Sequence, residues 1–194
     1  MNIQLMKVVD KKAAVLNAAL ELIVENGFHG TPMSKVAKQA NVAAGTIYHY
    51  FESKEEMIDT LYTTLKEEMG NALLRDDDTS LDYKERFYAF WQNLFLYFTQ
   101  NPKEFVFLEQ YANSPLISKS IKEDNVKHYL PVIQFLEEGI KLGILREMDS
   151  KLMTSLLYGN IISTAKLQLV EDYQISPELM NQAINSCWDS VKAN

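Results

Sequence analysis

"NVAAGTIYHYFESKEEM", residues 41–57, sets small residues (Ala43, Ala44, Gly45) directly ahead of a cluster of aromatics. Glycine and β-branched threonine weaken a first helical turn, so intrinsic propensity does not explain the pattern. At 100° per residue, Ala44, Ile47 and Phe51 share one side and are expected to bury. Gly45, Thr46, His49 and Tyr50 fall on the other side, with Tyr48 at the border. Aromatics on a helix ordinarily fill a core, but this segment is too short to bury all of these. Its other face requires a partner.

The flanking residues say what kind of segment this is. A first helix is expected over about residues 8–26, with Val15, Ala19, Leu22 and Ile23 inward and Asn26-Gly27 as its stop. Thr31 is expected to cap a second helix that opens on Pro32, with Met33, Val36, Ala37 and Ala40 as its inward stripe. Asn41-Val42-Ala43 forms a tight turn into the quoted helix. Ser53-Lys54-Glu55-Glu56 then reads as a capping box that starts a helix to about residue 74. Two short helices joined by a tight turn and braced by a longer one make a helix-turn-helix, whose second helix meets the major groove with its N-terminal end. Ala43, Ala44 and Gly45 then let the backbone approach DNA, while Thr46 and His49 reach base edges. Tyr48 and Tyr50 serve phosphates, and Lys54 adds a cation at the next helix start. His29 reads as a turn residue, and Lys35 and Lys38 as solvated charges.

Composition agrees. The 194 residues are 47% hydrophobic, with seven glycines and five prolines, which suits an all-α chain with short connections. The formal charge is -7, yet residues 1–54 hold six lysines against four acids. A mildly basic head on an acidic body hints at a polyanion partner. Cys187 is the single cysteine, so no internal disulfide forms, and a reducing cytoplasm is the expected compartment. No apolar run approaches the length of a membrane span, and the N-terminus lacks the apolar core of a signal peptide. No Cys/His cluster suggests a metal, no cofactor motif appears, and no nucleophile–base pair supports an enzyme. Asp76-Asp77-Asp78 reads as a solvated linker.

Beyond the polar break "RDDDTS" (75–80), helices are expected near 81–100, 103–112, 117–143, 150–171 and 177–192, with Pro131 kinking or dividing the third. "RFYAFWQNLFLYF" (86–98) carries aromatics on more than one face, so its helix is surrounded. The last two helices carry flat apolar stripes that suit either intramolecular packing or a partner chain.

"GFHGTPMSKVAKQANVAAGTIYHYFESKEEMIDTLY" (27–62) resembles the N-terminal DNA-binding region of the TetR/AcrR family of bacterial transcriptional regulators. The shared pattern runs from Gly27 through Thr31, Val36-Ala37, Ala40, Val42, Gly45, Tyr48 and Phe51 to Lys54. The remainder agrees in helix count, length and the "GIKLGILREMD" turn (139–149). The resemblance implies a three-helix DNA-binding domain over residues 1–54 and a larger antiparallel helical bundle over 55–194. It assigns phosphate contact and capping to Thr31 and the groove to Ala43, Gly45, Thr46 and His49. Tyr48, Tyr50 and Lys54 are assigned the DNA backbone. Val42, Ala43 and Ala44 offer no side-chain donor where relatives often carry one, which shifts weight toward shape and thymine-methyl contact. It further implies a small-molecule effector inside the bundle, with Trp91, Phe95, Gln110, Tyr111, His128, Phe135 and Asn160 as candidate lining. A homodimer through the last two helices is implied, with Leu156, Ser163, Leu167, Ile184 and Trp188 as candidates. The expected function is an effector-released repressor bound to double-stranded operator DNA. The alternative is a helical protein-binding or architectural module without effector control.

Overall fold

The computed structural model describes residues 10–193. The expected start of the first helix at residues 8–9, Lys7 and the reading of the leading segment lie outside the described residues. The ten α-helices among them are α1 (Lys11–Asn26), α2 (Met33–Gln39), α3 (Ala44–Tyr50), α4 (Lys54–Leu73), α5 (Tyr83–Gln100), α6 (Pro102–Ala112), α7 (Lys119–Asp124), α8 (Leu130–Lys141), α9 (Ser150–Leu169) and α10 (Pro177–Val191). No strand occurs among the described residues; one isolated antiparallel bridge joins Leu145 and Lys192.

Local chemistry sets the helix ends. The Asp10 carboxylate accepts from the Lys12 and Ala13 amides at the start of α1, and Gly27, at φ 71°, ends it in the left-handed region open to glycine. Asp82 and Glu85 form a reciprocal capping box on α5, while Asp149 and Ser176 cap α9 and α10. The helix expected over 117–143 is divided into α7, a 3-10 turn at Asn125–His128, and α8. Pro131 lies in the first turn of α8, where its missing N–H leaves no bond unmade.

The chain divides into two compact units. The first runs to Thr64 and includes Val106–Ile121; the second comprises Leu65–Phe105 and the chain from Lys122 onward. The boundary expected after residue 54 therefore differs from this division, which falls inside α4. The reason is that Met57, Ile58 and Leu61 of α4 are buried and extend the first unit's core.

In the first unit, α1 packs on α2 and α3 through Val15, Ile23, Val36 and Ile47, all fully buried. An aromatic cluster joins Phe28, Tyr62, Phe107 and Tyr111 at centroid distances of 5.3–6.1 Å. The Tyr111 hydroxyl donates to Asp59 Oδ1 at 2.6 Å. Burial, with the Asp59 carboxylate beside it, pushes that phenol above its ordinary range, so it stays a donor.

In the second unit, α5 is surrounded, packing on α9 and α10, and α8 packs on α9. Tyr83 stacks on Phe135 at 4.0 Å and donates to its carbonyl at 2.7 Å, while Phe87 meets Trp188 edge-on at 5.2 Å. The Arg86 guanidinium makes two 3.0 Å bonds to Asp77 and lies 4.9 Å from the Phe135 ring, tying the acidic loop to α5. Arg146 N–H donates to Val191 O at 2.8 Å and Ala193 N–H to Ile144 O at 2.9 Å, which ties the end of α10 to the turn after α8.

Candidate nucleic-acid interface

Helix α3 is held by its apolar side and presents the rest outward. Ile47 is fully buried and Phe51 nearly so. Ala43, Gly45, Tyr48 and His49 are exposed, while Thr46 and Tyr50 are half-buried at the edge. Ala44, expected on the buried side, is exposed instead, because the core ends one turn later at Ile47. Tyr48 is 59% exposed rather than borderline. The His49 and Tyr50 rings meet edge-on at 5.3 Å, so each limits the other's rotation.

Entry into α3 is set by backbone geometry. Asn41 takes φ 53°, a left-handed value that asparagine tolerates better than most residues. The Val42 amide reaches the Ala37 carbonyl at 3.0 Å, closing the turn between α2 and α3. Ala43 supplies no capping side chain. A Cβ added at Gly45 would meet no atom within 4 Å, so nothing inside the protein requires a glycine there.

Two expected residues sit differently. Thr31 is fully buried, and its hydroxyl donates to the Gly27 carbonyl at 3.0 Å. Pro32, at φ -71° and ψ 151°, takes the N-cap position without a side-chain bond. Thr31 is therefore a clasp of the α1–α2 turn, corrected from the expected cap and phosphate contact, because a buried hydroxyl must satisfy itself internally. Lys54 is half-buried, and its ammonium donates to the Phe28 carbonyl, which fixes the stem at the start of α4. Only half of the expected Ser53 capping box forms: Ser53 Oγ accepts from the Glu56 amide at 3.1 Å, while Glu56 reaches back to the Glu52 amide rather than to that of Ser53.

The candidate effector residues are divided between the two units. Trp91 stacks on Phe95 and donates from Nε1 to Asn160 Oδ1 at 2.9 Å, so these three form one group. Phe135 lies under Tyr83 and Phe90. Tyr111 belongs to the first unit, and Gln110 is exposed rather than lining a cavity, because it lies on the outer face of α6. His128 lies in the 3-10 turn against α4.

Of the candidate dimer residues, Ile184 and Trp188 are corrected. They are 0% and 8% exposed, since the inner face of α10 covers α5 and α9 of its own chain. Leu156, Ser163 and Leu167 do face outward. They continue a row on α9 with Leu152, Gly159 and Val170, spaced three and four residues apart, that no described residue covers.

One residue escaped the sequence reading. Lys66 continues the Ile58–Tyr62 row of α4 at the same four-residue step, and its ammonium lies against the rings of Tyr129 and Tyr158. A lysine in an apolar row was the available signal.

No helix among the described residues is long and apolar enough to cross a membrane. The family model for bacterial regulatory proteins of the tetR family matches residues 15–61, and the tetracyclin repressor-like C-terminal domain model matches residues 82–192. A fatty acid metabolism regulator protein of Bacillus subtilis is 33% identical, covering 84% of this chain and 85% of its own. A putative tetR family transcription regulator from Shewanella sp. PV-4 superposes with a TM-score of 0.87 at 25% identity, over 95% of this chain and 99% of that one. The regulator FadR from Bacillus subtilis, in complex with stearoyl-CoA, superposes with a TM-score of 0.73 at 26% identity, over 91% and 95%. With a buried Ile47–Phe51 side holding α3 outward from the first unit, this chain is a helix-turn-helix DNA-binding regulator rather than an enzyme, and it belongs to the TetR family of bacterial transcriptional regulators.

Proposed function

We propose that the protein is a homodimeric repressor in the bacterial cytoplasm, released from operator DNA by a small amphiphilic effector of the acyl-CoA class. The observation that carries the DNA-reading part is the open space at Gly45, flanked by exposed Ala43, Tyr48 and His49 on a helix anchored from behind. Close backbone approach places Ala43, Gly45, Thr46 and His49 over base edges. Tyr48 and Tyr50 donate to phosphates, and Lys54 has two N–H donors left beyond the one given to Phe28. One small helix buries too little DNA for tight binding, so a twofold pair reading half-sites about 34–36 Å apart is required. The uncovered row on α9, Leu152 to Val170, suits the self-complementary surface of such a pair.

Effector control rests on likeness to the fatty acid metabolism regulator and to the stearoyl-CoA complex. Helix α4 suits the coupling, since it begins beside α3 and runs from the first unit into the second. A ligand that favours the wrong head spacing must bind that state more tightly, and DNA must then weaken ligand binding by the same factor.

The test selects DNA from a random pool with the full chain, then titrates stearoyl-CoA against protein with and without the selected site. A twofold-symmetric site, and equal reciprocal losses of affinity, are expected. Sequence-indifferent binding refutes the operator reading, and equal ligand affinities refute effector release.

A further inference from the structure

We propose that Lys66, with His128 and the rings of Tyr129 and Tyr158, forms the anchor for the anionic group, carboxylate or phosphate, of a ligand within the helical second unit. This rests on the reading that the unit receives an effector, and it adds which end of that ligand is recognised and by what.

The cluster is cationic, half-buried and without a counter-charge. Lys66 Nζ lies 5.0 Å from the Tyr129 ring centroid, 6.0 Å from that of Tyr158 and 3.9 Å from Met69 Sδ. None of these groups carries negative charge, and no described carboxylate forms an ion pair with it. Burial alone draws the ammonium down to about 8, with no opposing charge to hold it up. His128 approaches from the 3-10 turn: a Cβ on Gly70, one turn beyond Lys66, would meet its carbonyl. Its Nε2 is closed to solvent and has no hydrogen-bond partner. Burial and the nearby lysines, Lys127 and Lys66, lower the His128 imidazole, with only Glu67 opposing them.

A buried cation beside an unpaired ring nitrogen is a poor core and a good anion site. The aromatic faces make the empty cluster tolerable but supply no charge. An entering carboxylate or phosphate accepts from Lys66 Nζ and from His128 as its Nε2–H form, replacing lost hydration with charge-assisted bonds. A neutral ligand end satisfies neither. The cluster also lies two residues past Thr64, where α4 passes from the DNA-reading unit into the second, so occupancy acts on the helix that begins beside α3.

The probes are dodecanoate, dodecyl phosphate and uncharged dodecanol, each below its micelle concentration, titrated into the full chain and into Lys66→Met by calorimetry. Wild type should bind at least one anionic probe tenfold or more tighter than dodecanol, and the tighter anion identifies the headgroup. Lys66→Met should abolish that preference while melting no lower than wild type, which shows that it is folded. Equal affinity for all probes, absence of binding by both anions, or an unchanged preference in Lys66→Met overturns the proposal. If stearoyl-CoA releases DNA equally from both proteins, the anchor falls while effector control stands. If anion binding depends on Lys66 yet neither an anionic probe nor stearoyl-CoA releases DNA, the anchor stands and effector control falls.

Discussion

Replacing Lys66 by methionine should stabilise the ligand-free protein, and by an amount that depends on pH. Its ammonium is lowered from 10.5 to about 8 by burial. Such a shift corresponds to about 3 kcal/mol favouring the neutral form. The faces of Tyr129 and Tyr158 return roughly 0.5–1 kcal/mol each to the charged form. A net destabilisation of roughly 1–2 kcal/mol remains near neutrality, which methionine, of similar length and without charge, removes. For a chain of this size the melting temperature should rise by roughly 2–8 °C. The sign of the pH dependence follows from linkage. Between about pH 8 and 10.5 the unfolded chain holds a proton that the folded chain has released, so wild-type stability climbs with pH there. The advantage of Lys66→Met is therefore largest near neutrality and shrinks as pH rises toward 10.5. Thermal unfolding of both proteins at neutral pH and at about pH 9.5 measures it. A variant less stable than wild type at neutral pH, or a gain independent of pH, refutes the claim that Lys66 is an unpaired buried cation.

The DNA-reading face gives further expectations. Tyr48→Phe should weaken operator and random DNA by the same factor in anisotropy titrations, since a phosphate donor positions without specifying. His49→Ala should change base preference at one or two positions per half-site, by roughly 1–3 kcal/mol per lost contact, read by selection from a random pool. Gly45→Ala should leave the melting temperature equal or higher, because no atom lies within 4 Å of the new Cβ, yet reduce DNA affinity. If Gly45→Ala binds DNA fully, close backbone approach at that position is wrong. Leu156→Glu, placed in the uncovered α9 row, should shift sedimentation toward monomer and weaken operator binding while single-chain folding survives.

The head of the molecule was legible because its signals are local. Gly27 stops α1 with a left-handed φ, Asn41 does the same work in the turn before α3, and Ser53 starts α4; each acts through its own backbone within a few residues. The helix-turn-helix and its outward residues follow from that order, and Pro131 marks a helix start because its missing N–H is harmless only in a first turn. Periodicity then states which residues share a face, but not what covers it. Thr31 reads as a cap, and only packing turns its hydroxyl back to Gly27. Ile184 and Leu156 read alike as apolar stripe residues, yet the first is sealed inside its own chain and the second is left open. Tyr111 reads as effector lining in the bundle but joins the first unit, through Asp59 and Phe28, across a gap of more than 50 residues. Lys66 sits in an apolar row, and only the tertiary structure places the rings of Tyr129 and Tyr158 against its ammonium. Punctuation and amphipathic period reside in neighbouring residues, so the chain alone determines them. Burial and charge pairing depend on residues far away in sequence, and only the tertiary structure decides those.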